Sequence, residues 1–141
     1  MFGLLTAGIL TGNELGTWAV VHPALSRLPH PVEVSAEQEI TRRYGLFMPV
    51  LMIATIVGAF ASSATLDGEE AQLALAGAFC FLAMLGLTLA GNVPLNVKTL
   101  RFPNGSDPAA WREIRSRWDR LHTIRILLDT AGLALLIASA V

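Results

Sequence analysis

Residues 44–66 read YGLFMPVLMIATIVGAFASSATL, and residues 71–97 read AQLALAGAFCFLAMLGLTLAGNVPLNV. Neither stretch contains an Asp, Glu, Lys or Arg. A helix needs about 20 mostly apolar residues to cross the hydrocarbon of a bilayer, and both stretches are long enough. Strands of a membrane barrel would alternate between apolar and polar residues, which these runs do not. Two further runs are interrupted. Phe2 to Val21 is apolar except around Asn13-Glu14, and Leu121 to Val141 is apolar except for His122, Arg125 and Asp129. The expected fold is an all-α integral membrane four-helix bundle. Its spans fall at about residues 2–22, 44–66, 71–94 and 119–141, within one membrane domain covering 1–141.

Composition agrees. Hydrophobic residues make up 53% of the 141, charged residues only 15%, and mean hydropathy is +0.55. A soluble domain of this size has too little interior to hide that much apolar surface. A disordered chain and a disulfide scaffold are excluded as well, since Cys80 is the single cysteine. The net charge of −1 gives no ground for a nucleic-acid partner. The N-terminal stretch has no basic segment before it and carries Glu14, so it reads as a retained first helix, not a cleaved signal.

The cations set an orientation. Arg27, Arg42 and Arg43 fall between spans 1 and 2. Lys98, Arg101, Arg112, Arg115, Arg117 and Arg120 fall between spans 3 and 4. The connection between spans 2 and 3 holds only Asp67, Glu69 and Glu70. The positive-inside rule places both basic connections in the cytoplasm and both termini outside. The expected location is the bacterial cytoplasmic membrane. Ser35 and Gln38 form a capping-box pattern that starts helix 2 in the cytosol. Pro103-Asn104-Gly105 signals a turn. Asp107 as N-cap with Pro108 at the first position starts helix 4. Run to the C-terminus, helix 4 would measure about 50 Å, so helices 2 and 4 should both extend into the cytoplasm.

The informative residues are polar ones inside the spans. Glu14, Trp18 and His22 are spaced i, i+4, i+8 on helix 1, and Thr88, Asn92 and Asn96 repeat that spacing on helix 3. Trp111, Arg115, Trp118, His122, Arg125 and Asp129 form one face of helix 4. An ionisable group in a membrane costs about 2.5–3.5 kcal/mol on insertion scales and normally turns inward to a partner. The three ladders should therefore converge in the cytoplasmic half of the bundle. A plainer reading exists for each residue: an ion pair fixing register for Glu14, Arg125 and Asp129, an interfacial anchor for Trp111, and backbone satisfaction near Pro94 for Asn92 and Asn96. Gly8, Gly12 and Gly16 form a small-residue face for close approach of a bundle neighbour or of a second copy in a homo-oligomer.

Glu14, His22-Pro23, Asn92-Val-Pro-Leu-Asn96 and the segment Arg117-Trp-Asp-Arg-Leu-His-Thr-Ile-Arg125 resemble the anthrone-oxygenase-like family of small membrane proteins, most of which form a domain of unknown function. The resemblance covers nearly the whole chain and is most specific in the helix 4 segment. It implies a four-helix membrane bundle and an oxygenase that converts anthrones to anthraquinones.

The ladders give the candidate chemistry. Glu14 or His122 would act as base on an acidic methylene, and Arg125, Asn92 or Asn96 would hold the resulting oxyanion. Glu14, His122 and Arg125 are thus the candidate catalytic set. Trp18, Asn92, Asn96, Trp111, Arg115 and Trp118 are candidates for binding a small apolar aromatic substrate that enters from the lipid bilayer. No nucleotide fingerprint or haem-attachment motif is present, which leaves two options for the cofactor. Either none is used, or His22, His122 and Glu14 hold a non-haem metal: iron, copper or zinc. A non-enzymatic carrier or assembly subunit would use the same polar pocket for binding alone.

Overall fold

The computed structural model describes residues 1–141 and is helical throughout, without strands. We number four helices. In α1, an α-helical segment Phe2–Gly16 passes through a π-helical turn Thr17–Val21 into a last α-helical turn His22–Leu25. Helix α2 is His30–Ser63. Helix α3 spans Gly68–Arg101 and contains a second π-helical turn, Thr88–Asn92. Helix α4 is Pro108–Ala138. The main contacts run around a ring, α1 on α2, α2 on α3, α3 on α4 and α4 back on α1, as in an up-down bundle. Helices α2, α3 and α4 are each long and apolar enough to cross a membrane. Asn13 and Glu14 lower the hydropathy of α1.

The core divides along the bundle axis. One half is apolar: Ala7, Leu10, Leu51, Met52, Ala59, Ala74, Ala78, Phe81, Met84 and Leu136 are all buried. The backbones approach closely there. A Cβ on Gly3 would stand 2.7 Å from the carbonyl oxygen of Gly58, and a Cβ on Gly77 would stand 2.9 Å from that of Gly132. The other half, toward the α1–α2 and α3–α4 connections, buries Glu14, Glu37, Asn92, Arg115, His122, Arg125 and Asp129.

Both π-turns have the same cause. Pro23 and Pro94 each follow one residue after the turn, and a proline inside an α-helix collides with the carbonyl four residues back. The chain absorbs an extra residue at that point. His22 N–H bonds Thr17 O, and Val93 N–H bonds Thr88 O, each five residues back.

Some local signals form as the sequence predicts, and one does not. The Asp107 carboxylate accepts the Ala109 N–H at 2.9 Å, with Pro108 at the head of α4. Gly105 takes φ +89° in the predicted turn. The Ser35–Gln38 capping box does not form, because α2 already begins at His30. Gln38 instead donates to Thr99 O at 3.0 Å and Phe102 O at 2.8 Å, tying α2 to the end of α3. The Gly8, Gly12 and Gly16 face meets nothing within 4 Å, so no helix of the bundle uses it.

Candidate functional site

A cavity of about 290 Å³ occupies the polar half. Glu14 and Thr17 of α1, Tyr44 and Met48 of α2, Asn96 of α3 and His122 of α4 are among its walls. One flank is open: Gly45 and Pro49 on α2 and Val93 and Val97 on α3 line it and are exposed. That flank is apolar and lies on the outer surface of helices built to span a membrane, so it faces lipid.

Glu14 and Arg125 meet across 111 positions of sequence, with Arg125 donating to Glu14 Oε1. His122 Nδ1 stands 3.0 Å from the other carboxylate oxygen, Glu14 Oε2. The ring N–H is not aimed for a full hydrogen bond, and the distance is that of an ion-pair contact. His122 Nε2 has no protein partner. A carboxylate beside Nδ1 favours the tautomer with its proton on that nitrogen, which would leave Nε2 to act as the basic atom. Bringing Glu14 and His22 of α1 to one cavity needs the first π-turn. In a regular helix eight residues advance the face by about 80°, whereas one absorbed residue brings His22 back to within about 20° of Glu14.

A second carboxylate–histidine pair stands toward the α1–α2 connection. His22 Nδ1 is 2.8 Å from Glu37 Oε1 and 3.0 Å from Arg115 Nη2. Arg115 Nη1 lies 3.3 Å from Glu37 Oε2, and Arg115 Nη2 donates to Asp119 at 3.3 Å. Trp118 joins the two histidines, with its ring centroid 4.7 Å from that of His22 and 4.5 Å from that of His122. The Arg115 guanidinium sits 4.6 Å over the same indole. Trp118 Nε1 donates to Asn96 Oδ1 at 2.7 Å, which orients the Asn96 amide and leaves its N–H groups for a ligand.

Most predicted residues converge, and three stand apart. Glu14, His22, Asn96, Arg115, Trp118, His122 and Arg125 all line the cavity. Trp111 does not. It is 1% exposed and packs on Phe102, with ring centroids 5.2 Å apart, and on His30 at 6.4 Å. The first turns of α4 lie beyond the cavity, so the ladder leaves it there. Trp18 is 46% exposed and donates to Thr123 at 3.2 Å on the outer surface, because the π-turn rotates it off the Glu14 face. Asn92 is fully buried but outside the cavity wall, and neither of its amide atoms is hydrogen-bonded.

No three His, Cys, Asp or Glu side chains are grouped to hold a metal ion. The expected set of His22, His122 and Glu14 is not assembled: Arg125 and His122 take up Glu14, and His22 turns Nδ1 to Glu37. A guanidinium on the carboxylate opposes a cation in that place.

Sequence reasoning missed Glu37 as a site residue and the chain Asn13–Tyr44–Thr17. The Tyr44 hydroxyl donates to Asn13 Oδ1 at 3.2 Å and lies 3.0 Å from Thr17 Oγ1. A signal existed. Val34, Glu37, Thr41, Tyr44 and Met48 follow helical steps of three and four, which continues the inward face of α2 into its charged extension.

Searches of curated proteins and of solved structures return no match. The sequence model of the anthrone oxygenase family matches residues 38–135, from the third turn of α2 onward into the last turns of α4. The matched region carries Tyr44, Asn96, Arg115, Trp118, His122 and Arg125, and covers well over half of the sequence. The chain belongs to the anthrone oxygenase family.

Proposed function

We propose that this protein is a membrane oxygenase that oxidises the activated methylene of an apolar phenolic substrate of the anthrone class with dioxygen. The observation that carries the reading is His122, a residue of the cavity wall with Nδ1 against the Glu14 carboxylate and Nε2 buried without a partner. A planar apolar substrate enters through the flank between α2 and α3 and lies against Trp118. His122 Nε2 removes a methylene proton, and the Asn96 amide and the Arg115 guanidinium donate to the enolate oxygen that forms. Dioxygen takes up the electron pair of the carbanion, and the peroxide anion takes the proton back from His122 Nε2 to give a hydroperoxide on that carbon. Loss of the second methylene proton breaks the O–O bond and leaves a carbonyl. Overall, one methylene and one dioxygen give one carbonyl and one water.

The test is oxygen uptake and quinone formation by the purified protein in lipid nanodiscs with anthrone. His122→Gln should lower the rate by about a hundredfold or more, the usual worth of a positioned base. Tight binding of anthrone by the wild type without oxygen uptake would show a carrier and overturn the enzyme reading.

A further inference from the structure

The cavity has a second neighbour, and His22 stands between them. A polar depression at the α1–α2 end is lined by Trp18, Ser26, Glu33 and Asp119. It shares with the cavity only His22, Glu37 and Arg115. Any proton passing between the reacting centre and that polar mouth must cross these three side chains. Arg115 does not release its proton, and Glu37 is pinned between Arg115 and His22. His22 is the one of the three whose ring can take a proton on one nitrogen and give one from the other.

Charged and aromatic groups surround it. The groups facing it are Glu37 from α2 and Arg115, Trp118 and His122 from α4, with Asp119 behind Arg115. Glu37 and Asp119 bring two negative charges, and Arg115 brings one positive charge. Glu37 Oε1, 2.8 Å from His22 Nδ1, can accept a hydrogen bond from a proton-bearing Nδ1. His22 Nε2 is buried and has no partner. The His22 and His122 ring centroids stand 5.9 Å apart, edge to face.

Resting on the reading of His122 as base, we propose that His22 is the acid of the same reaction, delivering the proton that turns the leaving oxygen into water. In the last step His122 Nε2 takes the second methylene proton. The C–H electron pair becomes the new carbonyl bond, and the O–O pair leaves with the distal oxygen. His22 Nε2–H protonates that oxygen as it leaves, so water departs instead of hydroxide. His122 then holds one proton more and His22 one fewer. The polar mouth resets both, and His22 keeps its Nδ1–H on Glu37 throughout. The two carboxylate-backed histidines thus hold opposite roles, one starting neutral and one starting charged.

The experiment compares wild type, His22→Gln and His22→Ala in nanodiscs, measuring oxygen uptake, quinone and released peroxide with anthrone. Thermal unfolding checks folding, and the Arg115–Glu37 pair survives in both variants. The expected result is uncoupling: oxygen is still consumed, quinone yield per oxygen falls at least tenfold, and peroxide accumulates. Added imidazole should restore the yield in His22→Ala. Unchanged coupling in both variants would overturn the acid, as would equal loss of uptake and quinone without imidazole rescue. A wild type that takes up no oxygen would instead remove the functional reading and the acid with it.

Discussion

Glu14 meets one cation directly, and that cation has a second carboxylate one turn along its own helix. Arg125 donates to Glu14, and Asp129 follows Arg125 by four residues on α4. Both Asp129 oxygens are buried without hydrogen bonds. Arg125 is therefore the nearest positive charge to two buried carboxyl groups, although it is paired with Glu14 alone, and its loss should cost more than the loss of Glu14. Removing one member of a buried pair costs about 3–5 kcal/mol, and Arg125→Met belongs at the top of that range. Glu14→Gln should cost less, because Arg125 keeps Asp129 within reach at i+4. The double variant should recover only part of the Arg125→Met loss, since Asp129 stays buried and unpaired. Thermal unfolding of the three variants checks the order. Glu14→Gln as damaging as Arg125→Met, or strict additivity, would show that the guanidinium is not shared. The Glu14–Arg125 pair was legible from residue types alone, because an ionisable group in a span needs a partner. Glu37 was not, because a carboxylate in a charged helix extension is usually solvated. Only its phase with Val34 and Tyr44 marks it as buried.

At the scale of helices, periodicity read the ladders correctly where the pitch is constant and misplaced residues where it changes. On α4 the steps of three and four hold from Arg115 to Asp129, all of which face inward. On α1 and α3 each proline forces a π-turn, and the extra residue turns Trp18 outward while Asn92 falls behind the cavity wall. The prolines were visible in the sequence, but the way the chain would relieve them was not. Glycines show the same limit. Gly8, Gly12 and Gly16 have the spacing of a contact face yet touch nothing, whereas the close approaches use isolated glycines on different helices, Gly77 with Gly132 and Gly3 with Gly58. A pairwise contact between helices leaves no period in either. Gly77→Ala should therefore destabilise the protein by about 1–3 kcal/mol, the usual cost of overpacking. Gly12→Ala should leave stability unchanged or slightly raised, as expected for glycine to alanine in an open helix. Thermal melts in one detergent compare them, and equal melting temperatures would show that the α3–α4 contact is looser than 2.9 Å implies.

For the whole molecule, the division into an apolar half and a polar half predicts which way it sits in a membrane. The polar half lies toward the α1–α2 and α3–α4 connections; nine of the ten Lys and Arg residues, counting Arg115, lie in those connections or in the helix ends beside them, and Arg125 is the one inside the bundle. The α2–α3 connection at the opposite end carries only Asp67, Glu69 and Glu70. Retention of the basic connections in the cytoplasm orients all four helices together, because each neighbour in the ring runs antiparallel to the next. Site and charge asymmetry would then coincide, and the polar mouth beside His22 should open to the cytoplasm. Reporter fusions give the check. A reporter inserted after Leu66 and one at Val141 should both read as external, and one inserted at Gly105 should read as cytoplasmic. The three positions are coupled by the fold, so a reversed signal at all three would invert the molecule and place the mouth outside. A reversed signal at one alone would mean that the helices do not cross as a single antiparallel ring. Either result would change what the site can exchange protons with, since His22 reaches solvent only through that mouth.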